Sequence, residues 1–414
     1  MSKRFLMAGM ALALTLAACT ASGGNKVEVF SWWTAGGEAD GLAAMVKVFE
    51  AKYPQYTFEN AAVAGGAGTN ARAVLATRLS QNDPPSSWQG HAGQELIGTY
   101  VAADKIQPLD SLYDSEGWKS VMPAGLIDLI SQGGHIWSVP VNIHRANVMW
   151  YVPATLTAAG VTPPKTWAEF LTTAATLKSK GITPLAMGEQ WTSMHLFETV
   201  MIGSLGADGW KALWDGTGDW TSSDVTDALN TFKQVLSYTN ADSSTLAWDK
   251  AADLVISGDA AFTIMGDWAE GYFKSKNMEP KTGFAWAPAP GTDGIFDFLS
   301  DSFVLPVNAK NPDGATAWLK VAGSKEGQDA FNPLKGSIPA RSDGDRSLYD
   351  VYLTSAMDDW KSDTVVGSLT HGVVANDAWK AKIDTALGLF LADKDVAAFQ
   401  TALAAACTSD GACK

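Results

Sequence analysis

Hydrophobic positions along the chain switch between two periods. Val27-Glu28-Val29-Phe30 alternates every second residue, as a strand does, and Leu42, Met45, Val46 and Phe49 then recur at helical spacing until Tyr53-Pro54 stops the run. Residues 71–79 and 96–103 read as further helices with short apolar strand candidates between them, the element order of an open α/β sheet. Parallel sheets bind ligands beyond the C-terminal ends of their strands, so the loop 31–38 is expected at a ligand-facing edge.

Farther along, Ile136-Trp137-Ser138-Val139-Pro140 and Val148-Met149-Trp150-Tyr151 make an extended stretch long enough to pass from one domain to another. Helical patterns dominate after it, at 166–179, 192–204, 223–237 and 247–257. Thr166-Trp167-Ala168-Glu169 has the form of a capping box, with Thr166 as N-cap and Glu169 reaching back to its amide. Phe262-Thr263-Ile264-Met265 and Gly283-Phe284-Ala285-Trp286 are strand candidates, and Ser302-Phe303-Val304-Leu305-Pro306 is a second extended passage. Such passages imply an α/β protein of two discontinuous lobes joined by crossover hinge strands. The expected N-terminal lobe is 26–140 with 299–345, and the expected C-terminal lobe is 141–298 with 346–414.

The first residues belong to neither lobe. Lys3 and Arg4 precede an apolar run of 13 residues ending at Ala18, shorter than the roughly 20 that a membrane-spanning helix needs. Residues 1–18 therefore read as a secretory signal. Leu16-Ala17-Ala18-Cys19 resembles the bacterial lipobox, so Cys19 is expected to be acylated and 19–25 to tether the chain to a membrane; ordinary Ala-x-Ala cleavage is the alternative. The expected location is the periplasmic or extracellular face of the cell membrane. Loss of the leader takes the formal net charge from −14 to −16, which argues against nucleic acid and anionic lipid as partners. Cys407 and Cys413 stand at the C-terminus with five residues between them, where an oxidising compartment allows a small disulfide loop; an unpaired state is the alternative.

Several blocks match one family in order and spacing across nearly all of the mature chain. Gly134-His135-Ile136-Trp137-Ser138-Val139-Pro140, Pro163-Pro164-Lys165-Thr166-Trp167, and Gly258-Asp259-Ala260-Ala261-Phe262 leading to Gly266-Asp267-Trp268 resemble the extracellular sugar-binding proteins of ABC importers. Phe30-Ser31-Trp32-Trp33, Asn142-Ile143-His144-Arg145, Leu299-Ser300-Asp301-Ser302-Phe303 and Asn332-Pro333-Leu334-Lys335-Gly336-Ser337 are most similar to the glucose- and galactose-binding proteins of the Thermus and Deinococcus lineage. The resemblance implies two α/β lobes that close on a sugar by hinge bending, a monomer that delivers its ligand to permease subunits, no catalytic step and no cofactor. A disaccharide or short oligosaccharide is the alternative ligand.

Sugar recognition requires apolar faces to stack on ring C–H surfaces and fixed polar groups to hold hydroxyls. Of the 17 tryptophans, Trp167, Trp210, Trp214, Trp318 and Trp360 lie in helical patterns and read as core or staple residues. Trp33, Trp248 and Trp268 occupy loop or element-end positions in the family-like blocks and are the expected platforms; hinge packing is the alternative for each. Glu38 and Asp301 are the expected carboxylate acceptors, with helix capping as the alternative role. Lys335 would donate to hydroxyls and balance a carboxylate, unless it is an ordinary surface lysine. Gln89, His91 and His144 both donate and accept, which suits a hydroxyl, whereas His135, His195 and His371 default to structural roles.

Two rival classes have weaker support, and a glycoside hydrolase stays as the remote alternative. A glycoside hydrolase would need Glu38 and Asp301 as a catalytic pair, and nothing marks a proton-donating carboxyl beside a nucleophile. A metal protein using Glu38, His91 and His144 lacks His-x-x-x-His or Cys-x-x-Cys spacing, so no metal is expected. Gly65-Gly66-Ala67-Gly68-Thr69-Asn70 has no Gly-Lys-Ser/Thr after it and reads as a turn opening a helix rather than a phosphate loop.

Overall fold

Val27 and Val29 are buried on one face of the strand Lys26–Phe30, as their alternation requires, and Phe30 is buried on the other. In the computed structural model, which describes residues 24–65 and 68–413, this strand pairs in parallel with Thr57–Asn60 and Ser87–His91. The expected signal, Cys19 and most of the tether lie outside the described residues, as do Gly66 and Ala67. Two segments remote in sequence complete this first sheet antiparallel: Asp301–Val304 beside Ser87–His91, and Val139–Pro140 beside Asp301–Val304. Asp301 thereby stands opposite His91.

A second sheet has the order Ala285–Pro288, Val148–Tyr151, Ala260–Ile264, Thr183–Leu185. Between the two lies a third, in which Asn142–Arg145 and Ile295–Leu299 pair antiparallel, flanked by Ile338–Pro339 and Thr364–Gly367. Val139–Pro140 in the first sheet runs through Asn142–Arg145 in the third to Val148–Tyr151 in the second, and Ile295–Leu299 leads directly back to Asp301–Val304. The molecule is thus an α/β fold of two lobes joined by crossover strands. Helices cover the sheets with their apolar faces inward: Ser223–Leu236 buries Val225, Ala228, Leu229, Phe232 and Val235, the spacing of one helical stripe.

Two local readings change. Glu95–Val101 winds as a π-helix where an α-helix is expected. At Trp167–Ser179, Thr166 Oγ1 accepts the Glu169 amide at 3.2 Å, but the Glu169 carboxylate reaches past Thr166 and takes the Lys165 amide at 2.7 Å. Thr166→Ala is expected to cost about 1 kcal/mol of unfolding free energy in urea titration, the usual worth of a side-chain cap.

At the other end of the chain Cys407, fully buried in the helix Val396–Asp410, is bonded to Cys413. Gly411, at φ 79°, reverses the backbone between them. Among the described residues no helix is long and apolar enough to cross a membrane.

Candidate ligand-binding cleft

Three glycines let the lobes meet at one end of the groove between them. A Cβ on Gly271, in the helix Trp268–Ser275, would lie 2.6 Å from the Leu334 carbonyl, and one on Gly37 would lie 2.3 Å from the same oxygen. Gly336, at φ 82°, carries the chain past Asp267. Backbone therefore packs on backbone here, and the lobes enclose a cavity of about 180 Å³.

Trp32, Glu38 and His91 reach this cavity from the first lobe, His144 and Asp301 from the crossover strands, and Trp191, Trp248, Trp268, Tyr272 and His371 from the second lobe. Lys335 enters from the end of the helix Lys325–Lys335 and bonds Glu38 at 2.8 Å. Its ammonium lies 5.6 Å from the Trp268 ring centre, so the cation is answered by both a carboxylate and a π face.

Asp301 is the best-connected acceptor. Its oxygens take Gln89 Nε2 at 2.7 Å and Asn142 Nδ2 at 2.8 Å, and its amide donates to Asn142 Oδ1 at 2.8 Å. Burial opposes its ionisation, but the His144 hydrogen bond and the nearby Lys335 and His91 charges outweigh burial and hold the carboxyl well below the usual range. A carboxylate has about four acceptor positions, so Asp301 keeps room for a ligand hydroxyl.

The histidines are fixed from behind. His144 Nδ1 donates to Asp267, while its Nε2 faces Asn142 Nδ2 at 3.0 Å and Asp301 Oδ2 at 3.3 Å. Burial would lower its basicity, yet the Asp267 charge prevails and the pKa is raised. His91 Nδ1 meets Glu95 at 2.8 Å, and Glu95 is bonded in turn by Arg72 at 3.3 Å. Desolvation of Glu95 is overcome by the His91 and Arg72 charges, which bring its pKa down to about 2. Burial and the neighbouring His91, His195 and His144 push His371 well below the ordinary histidine value, so it stays neutral.

Seven of the nine candidates line the cavity: Glu38, His91, His144, Trp248, Trp268, Asp301 and Lys335. Trp33 does not. It is 1% exposed, wedged against Phe331 and Phe303 with ring centres 4.7 and 5.7 Å away, and its neighbour Trp32 faces the cleft instead. Gln89 also stands back: it shares a strand face with His91 but lies two residues deeper, where it holds Asp301 and accepts the Trp32 amide at 3.4 Å. Trp191, Tyr272 and His371 were not among the expected residues. Trp191 donates to Glu189 at 3.1 Å and Tyr272 to Asp253 at 2.8 Å, so each ring is held by a polar tether.

Rings from both lobes thus surround an enclosed space whose polar groups have spare hydrogen-bonding capacity. Such an array binds a polyhydroxylated ring without needing to transfer a proton.

Comparison with known proteins agrees with this architecture. Residues 25–329 match the family described as bacterial extracellular solute-binding protein. An uncharacterized ABC transporter extracellular-binding protein of Pyrococcus horikoshii is 34% identical over 378 residues, 90% of this chain and 85% of that one. A probable sugar-binding periplasmic protein of Rhizobium meliloti is 34% identical over 380 residues, 89% of this chain and 90% of that one. The crystal structure of the bacterial solute receptor AcbH superposes with a TM-score of 0.80 at 17% identity, covering 92% of this chain and 97% of the receptor. The chain belongs to the bacterial extracellular solute-binding protein family.

Proposed function

We propose that this protein captures one neutral hexose, glucose or galactose, between its lobes and presents it to the permease of an ABC importer. The observation that carries the reading is the pairing of Trp32 from one lobe with Trp191, Trp248 and Trp268 from the other around Asp301 and the Lys335–Glu38 pair. A cavity of about 180 Å³ with rings on both sides favours a compact ligand. The Rhizobium relative's name and the galactopyranose preference reported for AcbH point the same way. The resemblance of the crossover blocks to glucose- and galactose-binding proteins of the Thermus and Deinococcus lineage adds the choice of epimers. Acylation at Cys19 would hold the monomer at the outer face of the membrane, where ligand-driven closure supplies the surface that a permease recognises.

Charge sets a further limit on the ligand. Glu38, Glu189, Asp249 and Asp301 line the cavity against the ammonium of Lys335, while His144 is answered by Asp267. Uronic acids are therefore expected to bind at least about tenfold more weakly than the parent hexose, because like charges placed together cost several kcal/mol. Isothermal titration with hexoses, pentoses, disaccharides and uronates tests both statements. Glucose or galactose should bind in the micromolar range or tighter. Tighter binding of a disaccharide would sink the single-hexose reading, and a panel without any ligand tighter than millimolar would sink the sugar reading altogether.

A further inference from the structure

Beneath the cleft floor His195 and Glu198, which do not line the cavity, meet His371, which does. The helix Gln190–Asp215 carries His195 and Glu198 one turn apart, and His371 comes from the loop after Thr364–Gly367. One donor atom from each lies within 4.8 Å of the others, and all three residues are buried. His195 Nε2 is 3.0 Å from the Ala146 carbonyl, so the proton sits there and Nδ1 keeps its lone pair. That Nδ1 is fully buried, has no hydrogen-bond partner, and faces Glu198 Oε1 at 3.6 Å. An imidazole lone pair turned toward a carboxylate is an arrangement that a cation resolves.

The surrounding contacts have the form found around metal ligands, in which the far ring nitrogen and the carboxylate are fixed by outer partners. Ala146 plays that part for His195. Ser368 Oγ at 3.0 Å and the Thr370 amide at 2.8 Å orient the Glu198 carboxylate. Ser368 Oγ also meets His371 Nδ1 at 2.9 Å, which leaves His371 Nε2 open to coordinate. Asp297, with neither carboxylate oxygen bonded, is close enough to Glu198 to feel its charge and adds a second buried carboxyl. His371 also lines the cleft, so an ion has a way in.

We propose that His195, Glu198 and His371 form a site for a divalent transition-metal ion, zinc by its donor set. Two imidazoles and a carboxylate are a recurrent zinc ligand set and leave a fourth position for water. Metal–donor distances of about 2.0–2.2 Å require the donors to draw together from their 4.8 Å limit.

The test uses the full mature chain, stripped with chelator and free of sugar, in equilibrium dialysis against micromolar zinc. One zinc per chain is expected. Glu198→Gln and His195→Gln should each weaken binding by at least about tenfold, the scale of losing an ordered ligand, whereas His135→Ala, at the exposed His135–Asp110 pair, should leave it unchanged. Cobalt(II) added to the unaltered chain should give the visible absorption of a tetrahedral nitrogen and oxygen site, a readout that does not depend on the variants folding. Absence of stoichiometric zinc and of that absorption, or zinc binding retained by both folded glutamine variants, overturns the site. Because no sugar is present, that failure leaves the hexose reading standing.

Discussion

Asp301→Asn is expected to weaken hexose binding by about tenfold to a hundredfold at nearly unchanged shape. In the native site three of the acceptor positions of Asp301 are taken, by Gln89 Nε2, Asn142 Nδ2 and His144 Nε2, leaving about one for the ligand. Hydrogen bonds to a charged group are worth about 1.5–3 kcal/mol each, and one of them corresponds to roughly 10–10² in affinity at 1.4 kcal/mol per decade. An amide also turns an NH2 group toward Gln89 or Asn142, both of which donate, so one buried donor loses its partner. Titration calorimetry should therefore show a collapse in affinity, with thermal unfolding confirming that the variant still folds. If affinity stays within threefold of the native protein, Asp301 does not hold the ligand.

Much of this architecture is legible in the sequence because it rests on periodicity. Lys26–Phe30 and Ser223–Leu236 declare themselves through the two-residue and 3.6-residue spacing of their buried positions. The cleft is legible to a lesser degree. Asp301, His144 and Lys335 have no local pattern of their own, and the blocks resembling a known family are what single them out. Trp32 and Trp33 show where such reading loses resolution: the loop after a strand has no period, so which of two adjacent indoles faces the cleft is decided by Phe303 and Phe331, hundreds of residues away. Gln89 fails differently, since alternation gives its face but not its depth. His371 and Trp191 meet the site only through tertiary packing, with the His371 ring 5.2 Å from Trp268 and 6.4 Å from Trp191. The carboxylates that orient the histidines, Glu95 and Asp267, are likewise defined by partners that the chain brings together only on folding.

Asp267→Ala is expected to cost about 3–5 kcal/mol of stability, the penalty for removing one partner of a buried ion pair, and to abolish tight sugar binding with it. Asp267 is fully buried and accepts both His144 Nδ1 and, at 3.0 Å, the Arg145 amide, while its own amide donates to the Arg145 carbonyl at 3.0 Å. The residue thus fastens the start of the helix Trp268–Ser275, and the Trp268 ring with it, to the crossover strand Asn142–Arg145. Asp267→Asn separates charge from shape through pH. The His144 pKa is raised in the folded protein above its ordinary 6.5, so the stability that Asp267 supplies through this pair is fully present below pH 6.5 and fades as pH climbs through the raised value. Urea unfolding should then show a larger difference between the native protein and Asp267→Asn at pH 6 than at pH 9. A difference that is equal at both, or larger at pH 9, would mean that Asp267 acts through its contact with the Arg145 amide alone and that the pair with His144 contributes nothing to holding the Trp268 platform in place.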